Sequence, residues 1–319
     1  MYMSGKTLAP GDPETPIVME WERVEAEVSG SLEARSLEVK VTASFRFRNT
    51  AAAVDQITGF PAQGPGFFTF YRDDMKDFLV RVNGKATQVR EVGLPFSSSG
   101  HPTEPVRWYV WDMALGAQAT ASVEVGYRQS LMGFVPPDPD FLVFHYVLTT
   151  GAMWKGPIGR AEIALKLPPW FTEDHLLMAQ PRGYRVAGSA LLWELSDFEP
   201  AADMAVSFMT PRSYARLEAA WRAVAASPRD PAARLRLAQE YDRFKGDVYT
   251  LGEVPRFLGP AVAEAEDALR IDPRHVPALL WMGSRYEREA QAFRWGFLDN
   301  GSLEKATASA ELPPRKFEN

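Results

Sequence analysis

Polar and apolar residues alternate without a break in LEVKVTASFRFRN, residues 37–49. Leu37, Val39, Val41, Ala43, Phe45 and Phe47 share one face; Glu38, Lys40, Thr42, Ser44, Arg46 and Arg48 share the other. A period of two predicts a strand with one buried and one wetted face, and Asn49 ends it. The same period begins at Ile17, after a Pro-, Gly- and polar-rich stretch over residues 1–16 that reads as a flexible lead-in. FLVRVNGKATQV (78–89) sets Asn83-Gly84 between two extended runs, the strongest short hairpin signal, because both central residues of that turn need positive φ. RWYVW (107–111) and ATASVEVGYRQ (119–129) predict further strands, with Gly116 turning the chain between them. AEIALKLP (161–168), YRVAGSALLWEL (184–195) and DMAVSF (203–208) complete the set, with a turn at Gly188-Ser189. Many short strands at this spacing predict a β-sandwich or two stacked β-modules, and an antiparallel β-sandwich-type domain over residues 17–210 is the expected fold.

After Pro211 the period changes. SYARLEAAWRAVAASPRDPAARLRLAQEYDRF (213–244) spaces its apolar residues three and four apart, which is helical, and Pro228 and Pro231 separate two helices. A domain boundary falls near residue 210, followed by a helical domain over 211–307 and a flexible tail over 308–319. Within it, AVAASPRDPAARLRLAQEY and ALRIDPRHVPALLWMGSRY align without gaps on Ala223/Ala268, Pro228/Pro273, Leu237/Met282, Ala238/Gly283 and Tyr241/Tyr286. This resembles the tetratricopeptide repeat, in which an apolar residue, a small residue and a tyrosine mark the first helix, and Ala261, Ala268 and Pro273 match the second. The resemblance implies helical hairpins and a protein or peptide partner. The copies lie 45 residues apart, more than the roughly 34 of that repeat. KGDVYTLGEVPRFLGP (245–260) is the insertion. Its Tyr249, Phe257 and Leu258 are the candidate interaction residues, expected to cap the bundle, to dock on the β half, which is the first choice, or to meet a partner. Trp281, Tyr286, Phe293 and Trp295 are spaced to pack between helices.

A length of 319 residues predicts two domains, and 46% hydrophobic residues supply a sizeable core. The formal charge is −6, and no stripe of Lys or Arg provides the footprint of a nucleic-acid binder. The absence of cysteine excludes disulfides, zinc-thiolate sites, iron–sulfur clusters and thiol nucleophiles. No stretch reaches the length of a membrane span. MYMSGKTLAPGDPETP at the N-terminus has no apolar core of a signal peptide.

The most conspicuous stretch is YVLTTGAMWKGPIG, residues 146–159. It fails as a phosphate-binding loop: Lys155 precedes Gly156 and no hydroxyl follows. Thr149 or Thr150 as a nucleophile needs a base, and alternation turns the nearest histidine, His145, away from Tyr146. A structural role accounts for more residues. Thr149 and Thr150 end a strand, Gly151 allows a turn, Trp154 supplies an apolar anchor, and Gly156-Pro157 turns the chain into the next strand. Asp73, Asp74 and Asp77 lack the spacing of a calcium loop and read as a solvated turn. Asp138 and Asp140 sit among prolines in a rigid turn, and His101 lies in a polar loop. Trp108, Tyr109 and Trp111 offer a sugar-stacking platform, but alternation divides them between two faces, so part of the group is core.

YVLTTGAMWKGPIG closely resembles the hallmark segment of a bacterial family known as domain of unknown function 4424. IVMEWERVEAEV, VKVTASFRFRN, GFP at 59–61, FLVRVNGKATQV and LWELSDFEPAADMAVSF extend the resemblance over residues 17–208, in the same order. It implies an extracytoplasmic β-domain and brings no catalytic residues with it. The sequence alone therefore points to a non-enzymatic binding or scaffolding protein of the bacterial cell envelope, without cofactor, metal or nucleic-acid partner. The alternative is an envelope hydrolase acting on carbohydrate or peptide through loop carboxylates. Without a signal peptide in this sequence, a cytoplasmic location stands beside the extracytoplasmic one.

Overall fold

A computed structural model describes residues 15–32, 37–61, 75–94, 106–133, 140–244 and 258–294. Strand β1 (Ile17–Ser29) starts by burying Ile17 and Met19, but further on it buries Glu22, Val24, Ala26 and Val28. The phase flips because a bulge between Met19 and Trp21 inserts one residue against β2 (Glu38–Asn49). β2 buries Val39, Val41, Ala43 and Phe47 as its alternation predicts. The chain continues through β3 (Val54–Pro61), β4 (Lys76–Val82), β5 (Lys85–Ala86), β6 (Arg90–Leu94), β7 (Val106–Leu115) and β8 (Thr120–Ser130). Asn83 and Gly84 turn between β4 and β5 with φ of 50° and 75°, as an Asn-Gly hairpin requires. Then follow β9 (Met132–Gly133), β10 (Phe141–Tyr146), β11 (Ile158–Lys166), β12 (Leu176–Gln180), β13 (Arg185–Ala187), β14 (Ala190–Phe198) and β15 (Met204–Met209).

Among the described residues these strands form three sheets. The largest has the order β13-β14-β11-β1-β2-β8-β4-β5, a second runs β12-β15-β10-β9, and a third runs β3-β7-β6. Phe60 on β3 meets Tyr127 on β8 and Tyr146 on β10, with ring centroids 5.6 and 6.2 Å apart. Phe78 on β4 stacks on Tyr109 of β7 at 4.0 Å. These aromatic rings pack the three-stranded sheet onto the largest one. Trp108 and Trp111 are both buried, on opposite faces of β7, so the suspected sugar platform is core.

Among the described residues four helices follow: α1 (Pro211–Ala226), α2 (Pro231–Asp242), α3 (Leu258–Ile271) and α4 (Val276–Arg294). Thr210 caps α1 by accepting from the Ser213 N–H, and Asp230 caps α2 by accepting from the Ala232 N–H, each with proline at the first helical position. Ala238, Ala265 and Met282 meet in one small core, and Leu235, Ala268 and Ala278 in another. Arg234 on α2 bonds Glu264 and Asp267 on α3 at 2.7 and 3.0 Å.

Two parts of the expected fold class are corrected. The β half is not purely antiparallel: β1 and β11 run parallel, pairing Glu22 with Ala161 through Glu27 with Lys166, so the largest sheet is mixed. Alternation reports which face a residue takes and is blind to strand direction. Nor do the helices form a tetratricopeptide-like domain. The first copy of the signature packs, with Ala238 buried and the Tyr241 hydroxyl accepting from the Trp221 indole at 2.6 Å. The second copy does not: Tyr286 is 56% exposed, and a Cβ on Gly283 would meet no atom within 4 Å. The two hairpins among the described residues fall short of the stack such a solenoid needs. The helices also share their compact unit with other segments. The chain separates into one unit of residues 1–132, 143–174 and 179–206, and another of 133–142, 175–178 and 207–319. In the second, the Asp140 carboxylate accepts from Ser213, Arg216 and Arg243, and the His175 ring lies 4.4 Å from Tyr214.

Candidate functional site

The TTGAMWKGPIG segment folds as a 3-10 turn over Thr149–Met153 followed by bends that lead into β11. Asp203 anchors its start: one carboxylate oxygen accepts from the Thr149 N–H at 2.9 Å and from its hydroxyl at 2.7 Å. The other oxygen lies 3.8 Å from His145 Nε2. Burial lowers the pKa of His145, against the opposing pull of Asp203. A threonine, an aspartate and a histidine thus come together, but the carboxylate stands between the other two. A nucleophile relay needs the imidazole to take the hydroxyl proton. Here the hydroxyl donates to Asp203, which fixes the loop.

The rest of the segment ties the corner to β1. Thr150 is half-buried and Gly151 is buried, where a Cβ would lie 2.8 Å from Ile158 Cδ1. Trp154 is half-buried, its ring 4.4 Å from that of Phe47. The Lys155 N–H donates to the Ile17 carbonyl at 2.9 Å. Gly156 adopts φ of 70° beside an exposed Pro157. Gly159 is the tightest position, because a Cβ there would sit 2.7 Å from the Glu20 carbonyl oxygen. That oxygen belongs to the bulge in β1, so β11 can pass the bulge only as bare backbone.

The bulge decides where the next residues point. Without it, Trp21 would follow Ile17 and Met19 into the core. With it, Trp21 moves to the outer face, opposite Arg46 on β2, and Arg46 in turn pairs with Ser122 on β8. Arg160 precedes Ala161, the parallel partner of Glu22, and so flanks Trp21 from β11. Asn83 completes the row, accepting from the Ser122 N–H at 2.9 Å. Over this row lies an open cleft of about 900 Å³, with Trp21, Arg46, Arg81, Arg160, Glu20 and Glu124 among its lining. Arg46 pairs with Glu20 at 3.4 Å, Arg160 with Glu162 at 2.7 Å and Arg81 with Glu124 at 3.8 Å. Each guanidinium carries five donors, so a single carboxylate leaves several for a ligand.

The bulge also sends Glu22 inward. It is 3% exposed and accepts from the Tyr146 hydroxyl at 3.0 Å. Burial pushes its carboxyl up to about 7, partly offset by that hydrogen bond, and burial likewise raises Tyr146. Trp21 and Glu22 were not among the residues singled out in the sequence. Their signal was present, because apolar residues sit at odd positions through Trp21 and at even positions from Val24 onward.

The other sequence candidates are scattered. Tyr249 and Phe257, and the side chain of Leu258, lie outside the described residues, as do Asp73, Asp74, His101 and Asp138. Asp77 pairs with Arg128, and Asp140 binds the arginines named above. Among the described residues no group of three metal-ligating side chains occurs, and no helix is long and apolar enough to cross a membrane.

No protein-family model matches the sequence, and no curated protein does. Among solved structures, the chain is similar to a "putative nutrient binding protein" from Legionella pneumophila, with 20% identity and a TM-score of 0.54. That match covers 73% of this chain and 80% of the other, and is a likeness of fold alone. An M1 zinc metallopeptidase from Deinococcus radiodurans gives a TM-score of 0.29 at 8% identity, over 61% of this chain and 42% of that one. So loose a likeness carries no argument.

Proposed function

We propose that this chain is a non-enzymatic binding protein of the bacterial cell envelope, of the domain of unknown function 4424 type, and that it holds its ligand in the cleft over Trp21. One observation carries the reading: a bulge, accommodated by Gly159, lifts a tryptophan out of the core and sets it between two arginines. A large aromatic side chain is worth more to stability when buried, so its placement on a polar sheet face is what a ligand platform requires. The fold shared with a protein described as nutrient binding supports a binding role, and the family resemblance supports the envelope. The exposed Val276, Leu279, Leu280 and Tyr286 of α4 support a protein partner for the helical region.

A thermal-shift screen of the full chain against envelope sugars, peptides and small nutrients tests the cleft. A ligand at 100 times its Kd stabilises by about 2.7 kcal/mol. That shift is expected in the wild type and is expected to vanish in Trp21→Ala. A ligand that shifts both proteins equally binds elsewhere and overturns the reading. Recovery of the protein in the cytosolic fraction of its native cells would overturn the envelope assignment.

The hydrolase reading has one observation in its favour, since Glu20 and Glu124 line the same cleft. Yet Glu20 faces Arg46 and Arg48, and Glu124 faces Arg81. Such surroundings suit a carboxylate that orients a guanidinium better than one that must deliver a proton. Turnover of a cleft ligand that Glu124→Gln abolishes would establish hydrolysis.

A further inference from the structure

We infer that the cleft over Trp21 binds an acidic oligosaccharide, with one uronate-type ring stacked on the indole. This rests on the reading of the cleft as the ligand site and adds the chemistry of what it takes.

The first element is the platform itself. Trp21 is partly exposed on β1, a central strand, with Arg160 one strand to one side and Arg46 one strand to the other. Neighbouring strands lie about 4.8 Å apart, so the two guanidinium stems flank the indole at about that distance. A pyranose stacked on the indole through its C–H face projects a ring carboxylate sideways, over the adjacent strand. There Arg46 or Arg160 meets it with a planar fork of N–H donors suited to carboxylate. The side not taken by the first carboxylate can hold that of a neighbouring sugar.

The second element is the rest of the trough. Beyond Arg46 it continues across Ser122 on β8 to Asn83 at the end of β4. From β11 to β4 it crosses five strands, about 19 Å, which is long enough for several linked sugars and too long for a single small acid. Thr120, Ser122 and Asn83 bring hydroxyl and amide groups to this part, beside the Arg81–Glu124 ion pair, and such groups suit a ligand rich in hydroxyls.

The third element excludes the competing polymer. An extended peptide gains much of its affinity by adding main-chain hydrogen bonds to an open sheet edge. The cleft lies over β11, β1, β2, β8 and β4, each with a paired strand on both sides, so it offers no open sheet edge. Recognition here must come from side chains on a sheet face, as it does for a sugar.

Isothermal titration of the full chain with a galacturonate tetramer, a neutral glucose tetramer and a glutamate oligomer of equal charge tests the inference. The galacturonate tetramer should bind at least about tenfold more tightly than the neutral one, as one charge-assisted contact provides. Trp21→Ala should weaken it by a similar factor, and Arg160→Gln should weaken it and flatten its salt dependence, with both variants keeping the wild-type circular dichroism. Equal binding of the neutral tetramer, still lost in Trp21→Ala, overturns the acidic class while the cleft stands. Equal binding of the glutamate oligomer overturns the saccharide class. Galacturonate binding that neither variant disturbs removes the cleft as the site and takes the functional reading with it. Failure of both oligosaccharides to bind overturns the inference outright.

Discussion

Glu22→Gln isolates the energetic consequence of the bulge that exposes Trp21. In the folded chain the Glu22 carboxyl is raised from 4.5 to about 7, chiefly by burial. Below pH 4.5 both folded and unfolded chains hold the proton, and this group leaves stability undiminished. Between 4.5 and 7 the folded chain binds the proton more firmly than the unfolded one, so stability falls as pH rises. Above 7 both states have lost the proton and the loss is complete. At about 1.36 kcal/mol per pK unit, the loss amounts to about 3 kcal/mol. Glutamine has no proton to lose and keeps an oxygen for the Tyr146 hydroxyl. Burial also lowers the pKa of His145 in the folded chain, against the pull of Asp203, and a lowered histidine makes stability rise with pH, the opposite sign. Comparing variant with wild type at each pH cancels such terms. Urea unfolding followed by circular dichroism should therefore show Glu22→Gln gaining about 3 kcal/mol on the wild type between about pH 4 and about pH 8. A difference that stays constant with pH would show that Glu22 does not titrate from a buried site, and the inward turn after the bulge would be wrong.

Trp154→Ala should cost about 2–3 kcal/mol in the same assay, below the roughly 3–5 kcal/mol of a fully buried tryptophan, because its ring is half-buried against Phe47. Gly159→Ala should cost about 1–3 kcal/mol through overpacking, since its Cβ meets the Glu20 backbone; it should also change the near-ultraviolet signal of Trp21, and an unperturbed spectrum would show that the bulge tolerates a side chain. Arg216→Ala removes a partner shared by Asp140 and Glu240 and should cost about 1–2 kcal/mol, less than a fully buried pair. A double-mutant cycle with Asp140→Ala checks it by returning a coupling well above that of an exposed pair, about 0.2–1 kcal/mol.

Features set by neighbouring residues were legible in the sequence. The Asn83-Gly84 turn declares itself because few other residue pairs tolerate two positive φ values in succession. The inner face of β2 follows from its alternation, and the break between α1 and α2 follows from Pro228 and Pro231. What depends on distant partners was not legible. Pairing of β1 with β11 joins segments more than a hundred residues apart, and nothing in either strand marks its direction. The tetratricopeptide resemblance misled for a related reason. Small residues and tyrosines at the right spacing act as a repeat only when another helix covers them. Tyr241 has Trp221 beside it, while Tyr286 is more than half exposed. Between these cases stands the bulge, which shows as a change of phase at residues 20–22 but can be interpreted only once β11 is seen to pass it.

That bulge also explains why the most conspicuous segment of the chain is a corner beside β1 and not part of the cleft lining. Threonines, glycines and a tryptophan are crowded into residues 146–159 because one backbone must turn sharply and then run beside a distorted strand. Asp203 holds the turn at Thr149, Lys155 hydrogen-bonds the start of β1, and Gly159 leaves room for the Glu20 carbonyl. None of these groups faces the cleft, yet the cleft depends on them. If β1 were regular, Trp21 would continue the phase of Ile17 and Met19 into the core, and Glu22 would point outward. One inserted residue exchanges the two, and the strand that accommodates the insertion begins with Gly159. The segment therefore shapes the cleft through geometry, by supporting the distortion that presents an aromatic ring to the outside and buries an acid behind it.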